Sequence, residues 1–281
     1  MRILDWLHRN RAFTLGAALT GLFITLALLS LVWTPGDPWR LRLSVRLQGP
    51  LQAGLLGTDQ LGRDVASLLM IGARNTLMVA WPAVLMGAVT GIALGSVAAS
   101  RKGMTDEIIM RACDVTFAFP ALLIAIMLGA SIGEGPQAAV WAIALFNIPV
   151  FARVTRSAAL QIWAMDYILA ARAIGKTRRA IAFEDVLPNI AGIIIIQLMV
   201  QLAVAIIMEA GFSYVGIGVS PPRPSWGRML REAQTFIHTA PHLVLAPGCA
   251  IALAVLGLNL LGDGIKGIFD PSRLRRRKKA V

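Results

Sequence analysis

Six stretches of this chain hold no Asp, Glu, Lys or Arg: residues 12–33, 75–100, 115–133, 135–152, 186–208 and 239–262. A helix needs roughly 17 to 25 apolar residues to cross a bilayer, and each stretch is that long. Inside lipid every backbone N–H and C=O must find a partner within the protein, so runs of this length predict helices. The expected fold class is therefore an all-α, polytopic membrane protein with six transmembrane helices. Only 15% of the residues are charged and the mean hydropathy is +0.69. Soluble domains carry about 25% charged residues.

The basic residues set the expected orientation. With the amino terminus inside, the outer segments hold only Arg40, Arg42, Arg46, Arg63, Arg74, Arg223, Arg228 and Arg231, and the rest of the 27 Lys and Arg fall inside. The positive-inside rule then predicts cytoplasmic termini. The organisation that follows is a cytoplasmic amino terminus (1–11), a transmembrane domain (12–262) and a basic cytoplasmic tail (263–281). Within the domain lie an external segment (34–74), a cytoplasmic loop (153–185) and an external loop (209–238). The first run is too long for the h-region of a cleavable signal and reads as a retained anchor. The net charge of +12 is thus mainly a topology signal. Arg273 to Lys279 can also touch anionic membrane lipid, and without a platform of interleaved aromatic and basic residues there is no case for nucleic acid.

Residues 165–188 form a polar, basic insert between two oily runs. Helix formers and small Ala170, Ala171 and Ala173 predict one short helix, which Gly175 interrupts. A second is expected over 177–186, ended by Pro188. Two short helices at an angle outside the bilayer suit docking into a groove on a partner. An ordinary connecting loop fits the spacing equally well.

Inside the spans, Gly87, Gly91 and Gly95 form a small-xxx-small ladder that admits a second helix backbone. Pro82, Pro120 and Pro247 should kink or break their spans, and Gly133 to Pro136 should turn a tight hairpin. Residues 212–226, FSYVGIGVSPPRPSW, are too rich in Gly and Pro to be helical throughout, which predicts a structured external or re-entrant loop.

Catalytic chemistry is hard to find. Gly175, Lys176 and Thr177 match the end of a phosphate-binding loop, but Ala170 replaces its first glycine and no strand precedes it. His238 and His242 are four apart, with Pro241 between them and no third metal ligand in view. Cys113 and Cys249 read as small packing residues. Asp114 and Glu209 border spans, where an acid belongs at the membrane interface or, if deeper, has a function. An ion-coupled secondary transporter would need such an acid well inside a span, and often an inverted repeat. A membrane enzyme would need a catalytic set, and none is visible.

Four stretches carry a family resemblance. Residues 57–65 read GTDQLGRDV, similar to an external GTDxxGRD signature. Residues 167–175, YILAARAIG, followed by Leu187, Pro188 and Asn189, resemble an EAA loop, with Leu169 in place of its acidic residue and no histidine before Leu-Pro. Residues 209–230, EAGFSYVGIGVSPPRPSWGRML, resemble ExxxSFLGLGxxPPxPSWGxML, and 259–271, NLLGDGIKGIFDP, resemble NLLGDGLRDxLDP. Together they resemble the permease subunits of binding-protein-dependent ABC importers, in the dipeptide, oligopeptide and nickel branch.

This resemblance implies an ABC type I importer permease fold in a bacterial inner membrane, and no enzyme activity in this chain. It implies that Tyr167, Ala170, Ala171, Arg172, Gly175, Leu187 and Pro188 form the coupling loop to an ATPase. It implies that Gly57, Asp59, Gly62, Arg63, Asp64, Pro221, Pro222, Ser225 and Trp226 face the external binding protein or line the outer mouth. The implied partners are a second homologous permease, two ATP-binding subunits and an extracytoplasmic solute-binding protein. ATP and Mg would belong to the partners, so no cofactor is expected on this chain. Peptides are the first expectation for substrate, with nickel or a metal chelate as the alternative.

Overall fold

The computed structural model describes residues 10–133, 135–220 and 222–269. The residues before Asn10 and the basic tail beyond Phe269 lie outside them, as do Glu134 and Pro221. Besides short 3-10 helices at Leu43–Val45 and Gln234–Phe236, nine helices longer than one turn occur among the described residues. They are α1 (Arg11–Leu29), α2 (Val65–Arg101), α3 (Gly103–Ala118), α4 (Ala121–Ile132), α5 (Pro136–Trp163), α6 (Asp166–Ala173), α7 (Arg178–Val215), α8 (Trp226–Ala233) and α9 (His242–Phe269). Five are long and apolar enough to cross a membrane, and a sixth crossing appears if α3 and α4 together count as one span.

The third expected span is not a single helix. Pro120 has no N–H to continue the ladder, and α3 and α4 meet there at 81°. With 12 residues, α4 is only about 18 Å long, well short of the roughly 30 Å hydrocarbon core. The second, fourth and fifth runs extend beyond their charge-free limits. Val65 to Arg74, Arg153 to Trp163 and Glu209 to Val215 are all helical, so the long helices continue into segments that the charge pattern sets outside the spans.

The glycine ladder joins α2 to α5. A Cβ on Gly87 would lie 2.8 Å from the Ala144 carbonyl, and one on Gly95 would lie 2.9 Å from the Thr155 Cβ. Only hydrogen fits, so the backbones touch. The spacing did not single out a second set: Gly16, Gly257 and Gly264 pack α1 against α9, with Gly257 facing the Leu19 Cβ at 2.9 Å. Nor did it single out Pro149, which is buried within α5. Between α5 and α7, the Gln201 amide donates to the Asn147 Oδ1 at 2.8 Å, with both residues buried. Large apolar side chains such as Met78, Val89, Met127 and Leu253 point outward, as a lipid solvent requires.

The bundle has two working ends. At one, here the elbow end, the Asn10 amide donates to the Gly264 carbonyl at 3.0 Å and the Arg178 guanidinium reaches the Ser100 carbonyl at 3.4 Å. The start of α1 and the end of α9 therefore lie together, beside the end of α2 and the start of α7. At the other, the cap end, the loop after α1 meets α2 where the Gly36 N–H donates to Ser67 at 2.9 Å.

Candidate functional site

The elbow is built from residues 163–190. Helix α6 ends in a left-handed stop: Gly175 has φ +85, its N–H bonds the Arg172 carbonyl at 3.0 Å, and the Lys176 N–H bonds the Ala171 carbonyl at 3.1 Å. This pair of bonds is a Schellman cap, which favours glycine at its left-handed position. Thr177 then caps the next helix by accepting from the Ala180 N–H at 3.2 Å. Gly175, Lys176 and Thr177 thus stop one helix and start another. The Lys176 ammonium contacts Asp185 at 2.5 Å and Glu184 at 3.1 Å. Its hydrogen bonds to Asp185 first, then to Glu184, push its pKa above the usual lysine value.

The second half of the elbow corrects the sequence reading. Pro188 does not end a helix, because 178–215 run as one, with a π-helical turn at Ile181–Val186 just before the proline. The wider turn lets the chain pass Pro188 and enter the span directly. One short helix, α6, stands free, and its partner is the end of a transmembrane helix. Ile168 is fully buried against Trp163, Ile181, Val186 and Ile190, and the Arg172 guanidinium lies 4.8 Å from the Trp163 ring centre. The opposite face of α6 is open: Tyr167, Leu169, Ala170 and Ala173 are exposed, as are Arg172 and Pro188, and Ile174 is 85% exposed. Ala171 and Leu187 are half-buried.

The cap joins the two remaining motifs. Asp59 accepts from the Leu61 and Arg63 N–H groups at 2.9 and 2.8 Å, and from the Arg63 guanidinium at 2.6 Å. Asp64 caps α2 by accepting from the Ser67 N–H at 2.7 Å. Gly57 and Gly62 have φ +79 and +73, and each lies against backbone that a side chain would strike. Arg63 also meets Glu232 of α8 at 3.3 Å. From the other motif, Ser225 caps α8, and the buried Trp226 indole donates to the Leu69 carbonyl at 3.0 Å.

Glu209 is fully buried between helices. It accepts from Thr76 at 2.9 Å and Ser213 at 2.7 Å, and Ser213 in turn accepts from the Val219 N–H at 3.1 Å. The carboxylate thereby fixes the turn that leaves α7. Asp114 is exposed and pairs with Arg153 at 2.7 Å.

Most cap residues therefore do not offer a surface. Gly57, Asp59, Gly62, Asp64, Ser225 and Trp226 are buried and Arg63 is nearly so, because each holds a turn or a helix start; Pro222 is exposed, and Pro221 lies outside the described residues. His238 and His242 form no cluster of three metal-binding groups among the described residues. Cys113 is buried, but Cys249 is exposed on α9 rather than packed.

A helical bundle with a cap at one end and an elbow at the other is here the shape of a membrane transport subunit, by the family to which the chain belongs. Residues 91–275 match the family described as binding-protein-dependent transport system inner membrane component, and the chain belongs to that family. It is 40% identical over 260 residues to a glutathione transport system permease protein GsiD of Pectobacterium atrosepticum, covering 91% of this chain and 86% of the relative. It is 36% identical over 265 residues to a dipeptide transport system permease protein DppC of Alkalihalophilus pseudofirmus, covering 94% and 87%. Its fold matches a structure of the MetNI methionine ABC transporter in an inward facing conformation, with a TM-score of 0.62 and 18% identity, over 72% of this chain and 96% of the other. The chain is a multi-pass inner-membrane transport subunit of a system that works with ATPase and binding-protein partners.

Proposed function

We infer that this chain forms half of the translocation pathway of an ATP-driven importer for small peptides, with the elbow in the cytoplasm and the cap outside. The observation that carries this reading is the open face of α6. Tyr167, Leu169, Ala170 and Ile174 form an apolar ridge on a rigidly stopped helix whose far side is anchored on Trp163 and Ile181. A ridge of that kind fits a groove on a partner. The concentration of Arg and Lys at this end supports a cytoplasmic placement.

In this reading the ridge seats in one ATPase subunit of a pair. Closure of the ATPases pushes on α6, and the push enters the bundle through Ile181–Val186 and α7 without crossing a flexible joint. A second homologous permease supplies the other half of the pathway, and a solute-binding protein delivers substrate at the cap. The relatives are named for glutathione and for dipeptides, which share amide bonds and free carboxylates, and this supports a peptide substrate.

Gly175→Trp tests the coupling. Open space surrounds Gly175, so a side chain clashes with nothing, but φ +85 is unfavourable for any other residue. The expected result is ATP hydrolysis in the assembled complex with peptide uptake reduced at least tenfold. Full uptake would count against the elbow as the coupling element.

A further inference from the structure

We propose that the groove between α2 and the start of α7 holds one anionic phospholipid, its headgroup on Arg101, Arg178 and Arg179 and an acyl chain along the apolar wall. The groove has a volume of about 840 Å³. Its wall is Val89, Ile92, Val97, Ala182, Phe183 and Leu187, and its three arginines all lie at the elbow end. From Val89 to Ser100 the wall rises about 16 Å along α2, so charge sits at one end and hydrocarbon along the rest. That is the shape of a lipid standing with its headgroup at the helix ends.

The arginines have no counter-ion within the described chain. No ion pair joins any of the three to a carboxylate among the described residues, and Glu184 and Asp185, next in the chain after the groove residue Phe183, are held by Lys176. Arg178 makes a single bond to a backbone carbonyl. The Ser96 hydroxyl, buried and unpartnered beside the same groove, adds a polar group for an ester or phosphate oxygen. Basic pockets between spans at a membrane face are suited to acidic headgroups. A helix from another protein would fill the apolar wall but would have to bring acidic residues for the arginines. An anionic lipid brings both parts and is always in the surrounding membrane.

The test is native mass spectrometry of the full chain in neutral detergent, offered equal amounts of phosphatidylglycerol and phosphatidylcholine. One phosphatidylglycerol should be retained in preference. Each arginine near the surface contributes roughly fivefold to that preference, and the triple variant Arg101→Gln, Arg178→Gln, Arg179→Gln should lose about a hundredfold. Ala93→Trp fills the groove, keeps the arginines and should also weaken retention, which separates a built site from loose surface charge. Free glycerol phosphate should not displace the lipid. Equal retention of both lipids, unchanged preference in the triple variant, or full displacement by glycerol phosphate would overturn the proposal. So would a disulfide from Val97→Cys to a second permease in the assembled complex, because a protein would then occupy the groove.

Discussion

Substituting Gly91 with alanine adds one carbon in the middle of the close contact between α2 and α5. That carbon would lie 2.7 Å from the Phe151 Cβ and 3.0 Å from the Ala152 nitrogen, close to the Ile148 carbonyl as well. Ordinary carbon contacts fall near 3.5 to 4.0 Å, so the shortfall is about 1 Å. Backbone atoms cannot rotate away, so the two helices must part. Overpacking of this kind costs about 1 to 3 kcal/mol, against a gain of roughly 0.5 to 1 kcal/mol from replacing a helical glycine. The mid-values leave a net loss of about 1 kcal/mol, which should lower Tm by about 2 to 4 °C. Gly21 is the control: nothing lies within 4 Å of its Cβ position, so Gly21→Ala should keep or raise Tm. The buried Cys113 thiol reports unfolding by its reaction with a dye, in a Cys249→Ser background that removes the exposed thiol. If Gly91→Ala melted at the parent temperature or above it, the close-packed contact between α2 and α5 would be refuted.

Replacing Glu209 by alanine strands the Thr76 and Ser213 hydroxyls, at a cost of about 1 to 3 kcal/mol each, whereas glutamine keeps an acceptor. Tm should fall in the order parent, Glu209→Gln, Glu209→Ala, and equal values would deny the carboxylate its role in holding the cap. The Lys176 contact has a different signature. Because its pKa is raised by Asp185 and Glu184, its contribution is complete below the ordinary lysine value and disappears only as pH climbs through the higher folded value. Stability differences between the parent and Lys176→Met should therefore stay level from about pH 6 to about pH 9, and a transition inside that window would contradict the assignment. Gly175→Trp should leave hydrolysis intact while uptake fails.

The membrane class was legible in the sequence, because charge-free length reports the solvent directly. Gly87, Gly91 and Gly95 were legible for a similar reason: regular spacing on a helix needs no knowledge of the partner helix. Pro188 was misleading. A proline predicts a stop from local sterics, but a π-helical turn six residues long carries the chain past it, and no local signal marks that turn. The cap motifs stand out in the sequence, but the burial of most of their side chains within this chain does not. Asp59, Asp64 and Trp226 are polar or amphipathic and would suit a surface, yet the two acids bond N–H groups of their own turn and helix start, and the Trp226 indole bonds the carbonyl of distant Leu69. Gly16 and Gly257 carry no local signal, because each faces a helix more than 200 residues away in the chain. Asn147 and Gln201 sit on separate helices, and the chain order does not reveal that they meet.

Ile174 is the most direct probe of how this subunit does its work, since it projects from the stop of α6 and is 85% exposed. In the assembled transporter, Ile174→Cys should form a crosslink to an ATPase subunit that changes when ATP is added, and Leu51→Cys at the cap end should not. A crosslink from Ile174→Cys to the solute-binding protein, with none to the ATPase, would place the elbow on the wrong side of the membrane and contradict the account.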